Sequence, residues 1–504
     1  MSVEHLDVLI IGAGLSGIGA AYHLMKHCPG KRFAILEGRE ALGGTWDLFR
    51  YPGIRSDSDM FTLGYNFKPW TNPLAIADGP SIRSYIAETA EENGIQQHIR
   101  FQHKVLKADW CSERATWTLQ VQRGDESEPI KLSCQHLLMC TGYYRYEAGY
   151  TPDFKGRELF QGEFIHPQLW PENFDYSGKN VVVIGSGATA VTLVPAMADK
   201  AKHVTMLQRS PTYVVSLPQG DPISDVLRKF LPETWVYRLA RTRNVAVQLG
   251  FYKLSKAFPN LVRKALLGLA RHQLGKDFDM RHFSPRYKPW DERVCAVPNG
   301  DLFKVLRQGK ASVVTEFIDG FTAKGIRLKS GQELPADVII SATGLELQLF
   351  GGMQVVVDGQ PFDASKSMGY RGIMLRDLPN AAVVLGYTNA SWTLKADLSS
   401  EYFCRLINHM DATGMRQCTP RDSSRQVKEA PFLDLASGYI QRAADKIPTQ
   451  GDRAPWKLYQ NYLLDLALLR YGKIEDGYLV FTSPQSSPQA ATVAGLRADV
   501  SQTP

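Results

Sequence analysis

The segment FQGEFIHPQLWPENFDYSGKNVVVIGSGATA, residues 160–190, contains the feature around which the chain is organised. Its second half joins an apolar run, residues 180–184, to a glycine-rich turn and the start of a helix. Such a strand–turn–helix lets a pyrophosphate approach the backbone and lie at the helix N-terminus. The segment therefore predicts a dinucleotide site in the middle of the chain, formed by Gly185, Ser186, Gly187, Ala188, Thr189 and Ala190.

A second site of the same kind lies near the N-terminus. The apolar run 8–11 leads into Gly12-Ala-Gly14-Leu-Ser16-Gly17, and a predicted strand at 33–36 ends at Glu37, twenty positions past Gly17. A carboxylate at this distance can accept hydrogen bonds from both hydroxyls of an adenosine ribose. Two such units predict an α/β fold with two Rossmann-like dinucleotide-binding domains.

The residue after the second strand of each unit distinguishes the two nucleotides. Gly12 to Glu37 spans 25 positions and Gly185 to Arg209 spans 24, so Arg209, followed by Ser210, stands where the first unit has an acid. A carboxylate would repel a ribose 2′-phosphate, whereas a guanidinium can bind it through two hydrogen bonds. We therefore predict FAD at the first site and NADPH at the second. The alternative is that Arg209 is only a solvated surface charge.

Size and composition limit the remaining possibilities. A chain of 504 residues exceeds the size of one hydrophobic core, and its 44% hydrophobic and 22% charged residues are ordinary for a globular protein. The net charge of +7 follows no single long basic run, which argues against nucleic acid as a partner. The seven cysteines form no metal-ligand cluster or CxxC pair, and no signal peptide or membrane span is visible. We expect no metal and a cytoplasmic location.

The order of the segments predicts how the domains are arranged. Apolar strands followed by Thr-Gly, at 141–142 and 343–344, mark the exit from each nucleotide domain. Residues 221–280 have helical apolar spacing with many Lys and Arg between, which can lie on a membrane surface but more often packs on its own domain. We expect an FAD-binding domain from 1–145 and 380–504, an NADPH-binding domain from 146–220 and 293–379, and a helical insertion at 221–292.

A loop rich in Gly, Pro and aromatic residues follows the first nucleotide unit, at residues 43–57. One interpretation is an irregular loop that joins its own ends through pairs of arginine and aspartate. The other is a lining for the flavin ring, in which glycines permit close approach, Trp46 supplies a flat apolar wall and Asp57 places a charge near the reacting centre.

Two long patterns carry a family resemblance. Phe160-x-Gly162-x3-His166-x3-Trp170-Pro171 resembles the fingerprint of type I Baeyer–Villiger monooxygenases, and Gly43-Gly44-x-Trp46-x4-Tyr51-Pro52-Gly53-x3-Asp57 resembles their second signature. Both occur in the family's order together with the two nucleotide turns. Runs such as GYTNASWTLKADL are similar to the branch of this family that contains the mycobacterial ethionamide-activating monooxygenase. The resemblance implies oxidation of ketones and also of thioamide and sulfide sulfur.

The resemblance implies a mechanism and a set of residues. NADPH reduces FAD, the reduced flavin and O2 form a C4a-peroxide, and this attacks a ketone to give an ester or lactone. Arg293 would stabilise the anionic species, and Asp57 would orient that arginine. The implied FAD-binding residues are Gly12, Gly14, Ser16, Gly17, Glu37, Gly44, Thr45, Trp46, Asp57 and Val105. The implied NADPH-binding residues are Arg55, Ser56, Gly185, Ser186, Gly187, Ala188, Thr189, Ala190, Arg209 and Ser210.

The sequence departs from the family at one position and leaves alternatives open. Glu292 stands where many relatives have Lys, and a carboxylate cannot bind the cofactor phosphate as Lys would. His166 is expected to act in the linker between domains and not as a general base. The competing functions are a flavin-containing monooxygenase acting on sulfur or amine nitrogen, a pyridine nucleotide–disulfide reductase, and a noncatalytic flavin-binding sensor.

Overall fold

The computed structural model describes residues 3–422, 427–433 and 437–484. The strands, in chain order, are β1 (Glu4–Ile11), β2 (Phe33–Leu36), β3 (Ile99–Arg100), β4 (His103–Cys111), β5 (Thr116–Arg123), β6 (Ile130–Met139), β7 (Glu163–Ile165), β8 (Asn180–Ile184), β9 (His203–Gln208), β10 (Val214–Leu217), β11 (Cys295–Pro298), β12 (Ala311–Thr315), β13 (Ile318–Thr322), β14 (Gly325–Leu328), β15 (Glu333–Pro335), β16 (Val338–Ser341), β17 (Gln354–Val357), β18 (Gln360–Pro361), β19 (Gly369–Tyr370), β20 (Met374–Leu375), β21 (Ala381–Val383), β22 (Gln417–Pro420), β23 (Glu429–Pro431), β24 (Thr449–Gly451) and β25 (Leu479–Thr482).

The α-helices connect and cover these strands. In chain order they are α1 (Leu15–His27), α2 (Thr45–Leu48), α3 (Met60–Leu63), α4 (Gly79–Glu92), α5 (Ala188–Met197), α6 (Pro222–Leu227), α7 (Glu233–Ala257), α8 (Pro259–Leu274), α9 (Asp301–Arg307), α10 (Trp392–Thr413), α11 (Gly438–Gln441) and α12 (Tyr462–Leu466).

The first large sheet has the strand order β18-β17-β4-β5-β6-β1-β2-β3, and β21 also pairs with β6. β1 pairs in parallel with β2 and β6, whereas β4, β5 and β6 form an antiparallel meander. Residues 8–11 of β1 are all buried because the sheet is covered on both faces, which is why this strand is a continuous apolar run. Helices α1 and α10 pack against each other beside this sheet.

The second large sheet is parallel and has the order β12-β9-β8-β16-β7. Its strands β8 and β16 end side by side, with Ile184 paired to Ser341. Both predicted nucleotide units are therefore present, and the fold is α/β with two dinucleotide-binding domains. One predicted boundary is wrong: β17 pairs with β4 in the first sheet, although residues 293–379 were assigned to the NADPH-binding domain. Residues 485–504 of the predicted 380–504 segment lie outside the described residues.

The predicted insertion at 221–292 contains the helices α6, α7 and α8. On α7, Arg241 Nη1 donates to the carbonyls of Phe61 and Gly64 at 2.8 Å, which fixes this helix to the first domain. On α8, Ala270 and Leu274 belong to the core of the second domain. The insertion thus packs against both nucleotide domains. No helix among the described residues is long and apolar enough to cross a bilayer.

Candidate active site

The first glycine turn is held too tightly for side chains. Gly12 has φ +103°, and a Cβ there would lie 2.6 Å from the carbonyl oxygen of Cys140. A Cβ on Gly17 would lie 1.8 Å from the carbonyl oxygen of Gly12. The backbone therefore runs directly from β1 into the N-terminus of α1, where free N–H groups can receive a pyrophosphate.

Glu37 stands beside this turn at the end of β2. Its Oε2 accepts the N–H of Ala13 at 2.8 Å and its Oε1 accepts the N–H of Arg39 at 3.0 Å. Burial raises the pKa of Glu37, and these two backbone hydrogen bonds oppose the rise. Each oxygen keeps a further acceptor position, so the carboxylate and the open turn fit the ribose and pyrophosphate of FAD.

The 43–57 loop begins next to the first turn. A Cβ on Gly44 would lie 3.1 Å from the Cα of Gly14, so the two backbones are in close approach. Thr45 Oγ1 and the hydroxyl of Tyr144 are 2.5 Å apart, and Trp46 is half-buried against the first core. Val105 is buried in β4 and does not belong to this loop.

One ion pair lies within the loop, but it does not join the ends of the loop as the simpler interpretation predicted. Arg50 Nη2 lies 3.6 Å from Asp47 Oδ1. Arg55 does not pair within the loop, because its Nη1 donates to Asp301 Oδ2 at 2.5 Å at the start of α9. Ser56 is buried, and its hydroxyl donates to the carbonyl of Ser58. Arg55 and Ser56 thus connect the loop to itself and to the second domain.

The same loop reaches the second nucleotide site. A Cβ on Gly53 would lie 2.6 Å from the Cβ of Ala196 and 3.2 Å from the carbonyl oxygen of Thr192, both on α5. The loop therefore contacts both nucleotide units, the first turn at Gly44 and helix α5 at Gly53.

Arg293 and Asp57 meet between the domains. Arg293 Nη1 lies 3.4 Å from Asp57 Oδ2. Burial lowers the pKa of Arg293, but Asp57 and the phenols of Tyr143 and Tyr439 raise it, so that it lies above the ordinary arginine value. Arg293 Nε is buried and has no hydrogen-bond partner among the described residues. This guanidinium is permanently charged and keeps a donor free for an oxygen atom.

Arg293 lines a cavity of about 850 Å³, including the part open to solvent. Its walls are mostly apolar or aromatic. Trp392, on the wall, stacks on Tyr143 and donates through Nε1 to Ser16 Oγ at 2.8 Å, which connects the cavity to the first turn. Other lining residues include Leu347, Leu349, Leu385, Phe432, Leu433, Ile440 and Leu458.

A buried polar group in this cavity wall was missed by the sequence analysis. Lys395 Nζ and the hydroxyl of Tyr387 both bond Asp465 Oδ2, at 2.8 and 2.7 Å. Burial lowers the pKa of Lys395, and the neighbouring Asp465 opposes the shift. The available signal was a lysine between Leu394 and Ala396 in the first turns of α10, but its partner lies 70 residues away.

The second glycine turn repeats the geometry of the first. Gly185 has φ +139°, and a Cβ there would lie 2.4 Å from the carbonyl oxygen of Ala342. Ser186 Oγ donates to the carbonyl of Ser210 at 3.0 Å, which holds the end of β9 against the turn. Ala188 begins α5, and nothing lies within 4 Å of a Cβ placed on Gly187. The site is open and fits a second dinucleotide.

Two arginines lie at the mouth of this second site. Arg209, at the end of β9, is exposed. Arg442 directly follows α11, and its guanidinium carbon lies 3.5 Å from the centre of the Tyr150 ring. Its Nη2 atom also lies beside Gly344, 3.5 Å from where a Cβ on that glycine would be. Burial lowers the pKa of Arg442, and the charge of Arg209 lowers it further. Neither arginine forms an ion pair within the described ranges, and the sequence analysis missed Arg442.

Glu292 and His166 occupy different positions around the site. Burial raises the pKa of Glu292, and the charge of Arg209 opposes the rise, so this carboxyl lies near the predicted phosphate residue. His166 Nε2 lies 3.2 Å from the carbonyl oxygen of Gly344, and its ring fills the space beside Gly149. These contacts favour a structural role for His166 in the linker.

Comparisons with known proteins agree with this arrangement. A family model described as "Pyridine nucleotide-disulphide oxidoreductase" matches residues 6–236. The FAD-containing monooxygenase EthA of Mycobacterium tuberculosis is 55% identical over 480 residues, covering 95% of this chain and 98% of EthA. An oxidised steroid monooxygenase bound to NADP has a TM-score of 0.76 at 22% identity and covers 95% of this chain and 100% of its own. A cyclohexanone monooxygenase bound to ε-caprolactone has a TM-score of 0.72 at 19% identity, with the same coverage.

The structural matches establish the fold, and the sequence match establishes the family. The structural neighbours share the fold, and EthA shares more than half of its residues over nearly the full length of both chains. The chain therefore belongs to the family of FAD-containing monooxygenases.

Proposed function

We propose that this protein uses NADPH and O2 to insert an oxygen atom beside a carbonyl group, converting ketones to esters or lactones. Sulfides or thioamides are proposed as further substrates of the same site. The observation that carries the proposal is the position of Arg293, paired with Asp57, in the wall of an apolar cavity connected to the flavin turn.

The two cofactors are assigned to the two turns. Glu37 would bind the ribose of FAD, and the N-terminus of α1 would bind its pyrophosphate. Gly44, Thr45, Trp46 and Val105 would complete the flavin site. NADPH would lie at the N-terminus of α5, with Arg209 and Ser210 at its 2′-phosphate. When bound, FAD reduced by NADPH supplies the activation of O2.

Arg293 would act on the charge that develops during the reaction. Its raised pKa keeps the guanidinium protonated at every working pH. A fixed cation beside the carbonyl oxygen of the ketone stabilises the negative charge that forms there, by about 3–4 kcal/mol. Asp57 is a positioning residue, because it holds one side of the guanidinium while Nε stays free.

Arg442 is proposed as an additional residue for NADPH. Strands β9 and β16 flank β8, so Arg209 and Gly344 lie on opposite sides of the second turn. Arg442 lies on the Gly344 side, and we therefore propose that it binds the diphosphate while Arg209 binds the 2′-phosphate. Two neighbouring cations that form no ion pair among the described residues fit a ligand with several negative charges, although the carboxyl of Glu292 lies near Arg209.

The cavity wall indicates the chemical class of substrate. Leucine, isoleucine and aromatic side chains dominate it, and the Lys395–Asp465 pair satisfies its own charges. Such a wall favours a hydrophobic ketone whose only strong polar contact is its carbonyl oxygen.

The test is a product assay with the purified FAD-loaded protein, NADPH and isotopically labelled O2. Linear, cyclic and aryl ketones and one aryl methyl sulfide would be supplied, and the products read by mass. We expect one labelled oxygen atom in an ester or lactone. Labelled sulfoxide without any ester would support the heteroatom monooxygenase instead. NADPH-dependent reduction of a disulfide without O2 would support a disulfide reductase, and no NADPH consumption would support a noncatalytic flavoprotein.

A further inference from the structure

The helical insertion has an outer surface that its packing leaves uncovered. Tyr237 and Arg241 of α7 and Val262 and Leu266 of α8 face the two nucleotide domains and are buried. Large apolar side chains are exposed elsewhere along these helices and on the segment before them. We define the outer helical surface by six of them: Phe230 (78% exposed), Trp235 (56%), Val247 (63%), Phe258 (57%), Leu261 (62%) and Leu269 (56%).

The residues that the structure describes leave this apolar surface exposed. Positions 235, 239, 246 and 250 lie on one side of α7 and hold Trp, Leu, Ala and Gly. Helix α8 repeats the pattern with Leu261, Ala265 and Leu269. Soluble surfaces rarely expose continuous apolar area of this kind unless something covers it.

The charge of the same segment identifies what covers it. Residues 234–276 contain nine Lys and Arg and no Asp or Glu. The nine positive charges of this segment exceed the +7 net charge of the whole chain. The rest of the chain therefore contains slightly more acidic than basic residues. At the edge of the segment, Glu233 is neutralised by Arg228, whose Nε lies 3.0 Å from Glu233 Oε2.

Four of these cations are exposed beside the apolar side chains: Arg238, Lys253, Lys264 and Arg271. None of the four forms an ion pair with a residue that the structure describes. The guanidinium of Arg238 lies 5.8 Å from the centre of the Trp235 ring. Basic side chains bordering an exposed Trp and Leu face are the arrangement that binds the headgroups and acyl boundary of an anionic bilayer.

We propose that the outer helical surface docks this protein on an anionic phospholipid membrane, with α7 and α8 lying flat on it. The apolar side chains enter the acyl boundary and the four cations contact lipid phosphates. Val245, on the inner side of α7, packs with Tyr387 of the cavity wall. Docking would therefore bring the cavity to about one helix diameter, roughly 10 Å, from the lipid.

The test is co-sedimentation of the full-length FAD-loaded protein with vesicles of phosphatidylcholine alone or mixed with phosphatidylglycerol. We expect binding to the mixed vesicles only, weakened by added salt. Replacing the four exposed cations with Gln should lower this binding more than about a hundredfold, since each basic side chain near an anionic surface contributes on the order of fivefold. Trp235→Gln with Phe258→Gln should also abolish it.

Matched variants separate the proposal from nonspecific effects. The first control, Phe317→Gln, removes an aromatic side chain that is equally exposed (56%) but lies elsewhere. The second control removes four positive charges from other exposed positions by replacing Lys131, Lys200, Lys202 and Lys324 with Gln. Both controls should bind as the wild type, with unchanged flavin absorbance. Absence of vesicle binding, or equal losses in the controls, would overturn the proposal. A second result would also overturn the proposal: the wild type sediments as an oligomer without vesicles, and the double variant Trp235→Gln, Phe258→Gln sediments as a monomer. The surface would then be an interface between copies of this chain.

Discussion

Arg293 and Asp57 are 236 residues apart in the chain, and their side chains are 3.4 Å apart in the fold. Asp57 comes from the loop that links the two nucleotide sites, and Arg293 comes from the segment just before β11. Neither domain alone contains the pair. Its geometry therefore depends on how the two domains pack.

Replacing Arg293 by Ala should lower ester formation by about 10²–10³-fold, because Lys395, the other cation in the wall of this cavity, is paired with Asp465. Product yield by mass spectrometry measures the loss. Flavin content and NADPH-dependent bleaching of the flavin should stay near wild type. Arg293→Lys is the matched control that keeps the charge without the planar donors, and it should retain part of the activity. Normal ester yield in the Ala variant would remove Arg293 from its proposed role.

Glu37→Ala should weaken FAD binding by about 10- to 100-fold, since hydrogen bonds to a charged group contribute about 1.5–3 kcal/mol. Release of flavin during dialysis, followed by absorbance, checks this. Glu40→Gln changes an exposed carboxylate three residues away and should release no extra flavin. Equal flavin loss in both variants would contradict a specific role for Glu37.

Arg209→Ala should reduce the preference for NADPH over NADH by about 10- to 100-fold, because a 2′-phosphate loses a charged hydrogen-bond partner. The ratio of kcat/KM for the two cofactors measures this preference. Arg209→Ser should reduce the preference for NADPH over NADH by a similar factor. An unchanged ratio would show that the phosphate is held elsewhere.

Arg442→Ala should weaken binding of NADP⁺ and NAD⁺ by a similar factor, about tenfold, because the diphosphate, to which we assign this arginine, is common to both. Titration calorimetry on the oxidised FAD-loaded protein gives both affinities without catalysis. Arg157 also lies over an aromatic ring, 4.2 Å from the centre of Phe164, and Arg157→Ala serves as the control for a lost cation–ring contact. A loss confined to NADP⁺ would instead place Arg442 at the 2′-phosphate.

His136→Leu should make the fold more resistant to acid. His136 is buried in β6, burial lowers its pKa to about 3, and neither ring nitrogen has a hydrogen-bond partner among the described residues. The unfolded chain therefore binds a proton below pH ~6.5 that the folded chain excludes, so stability falls by up to about 1.4 kcal/mol per pH unit as the pH drops from there toward 3.

Thermal unfolding at several pH values tests this sign. The midpoint of His136→Leu relative to wild type should rise steadily as the pH falls from 6.5 to 5. His272→Leu alters an exposed histidine and should show no such trend. A constant difference between His136→Leu and wild type at all pH values would refute the titration of His136 as the cause.

Structural features that depend only on residues close together in the sequence could be predicted from the sequence. Glycines at 12 and 185 adopt positive φ where each strand turns into a helix, and Glu37 and Arg209 follow the second strands at the expected spacing. The 221–292 range was predicted to be helical but to pack on its own domain. Its two long helices instead contact both domains and leave an apolar side exposed.

The sequence by itself determined the two nucleotide turns and the likeness to a family, because backbone sterics and hydrophobic period act over a few residues. Only the tertiary structure decided that Arg442 lies over Tyr150 and beside Gly344, that Lys395 pairs with Asp465 and that β17 pairs with β4. Those contacts join segments 70 or more residues apart, and which of many arginines or aspartates meet there depends on the packing of whole domains, which no local pattern specifies.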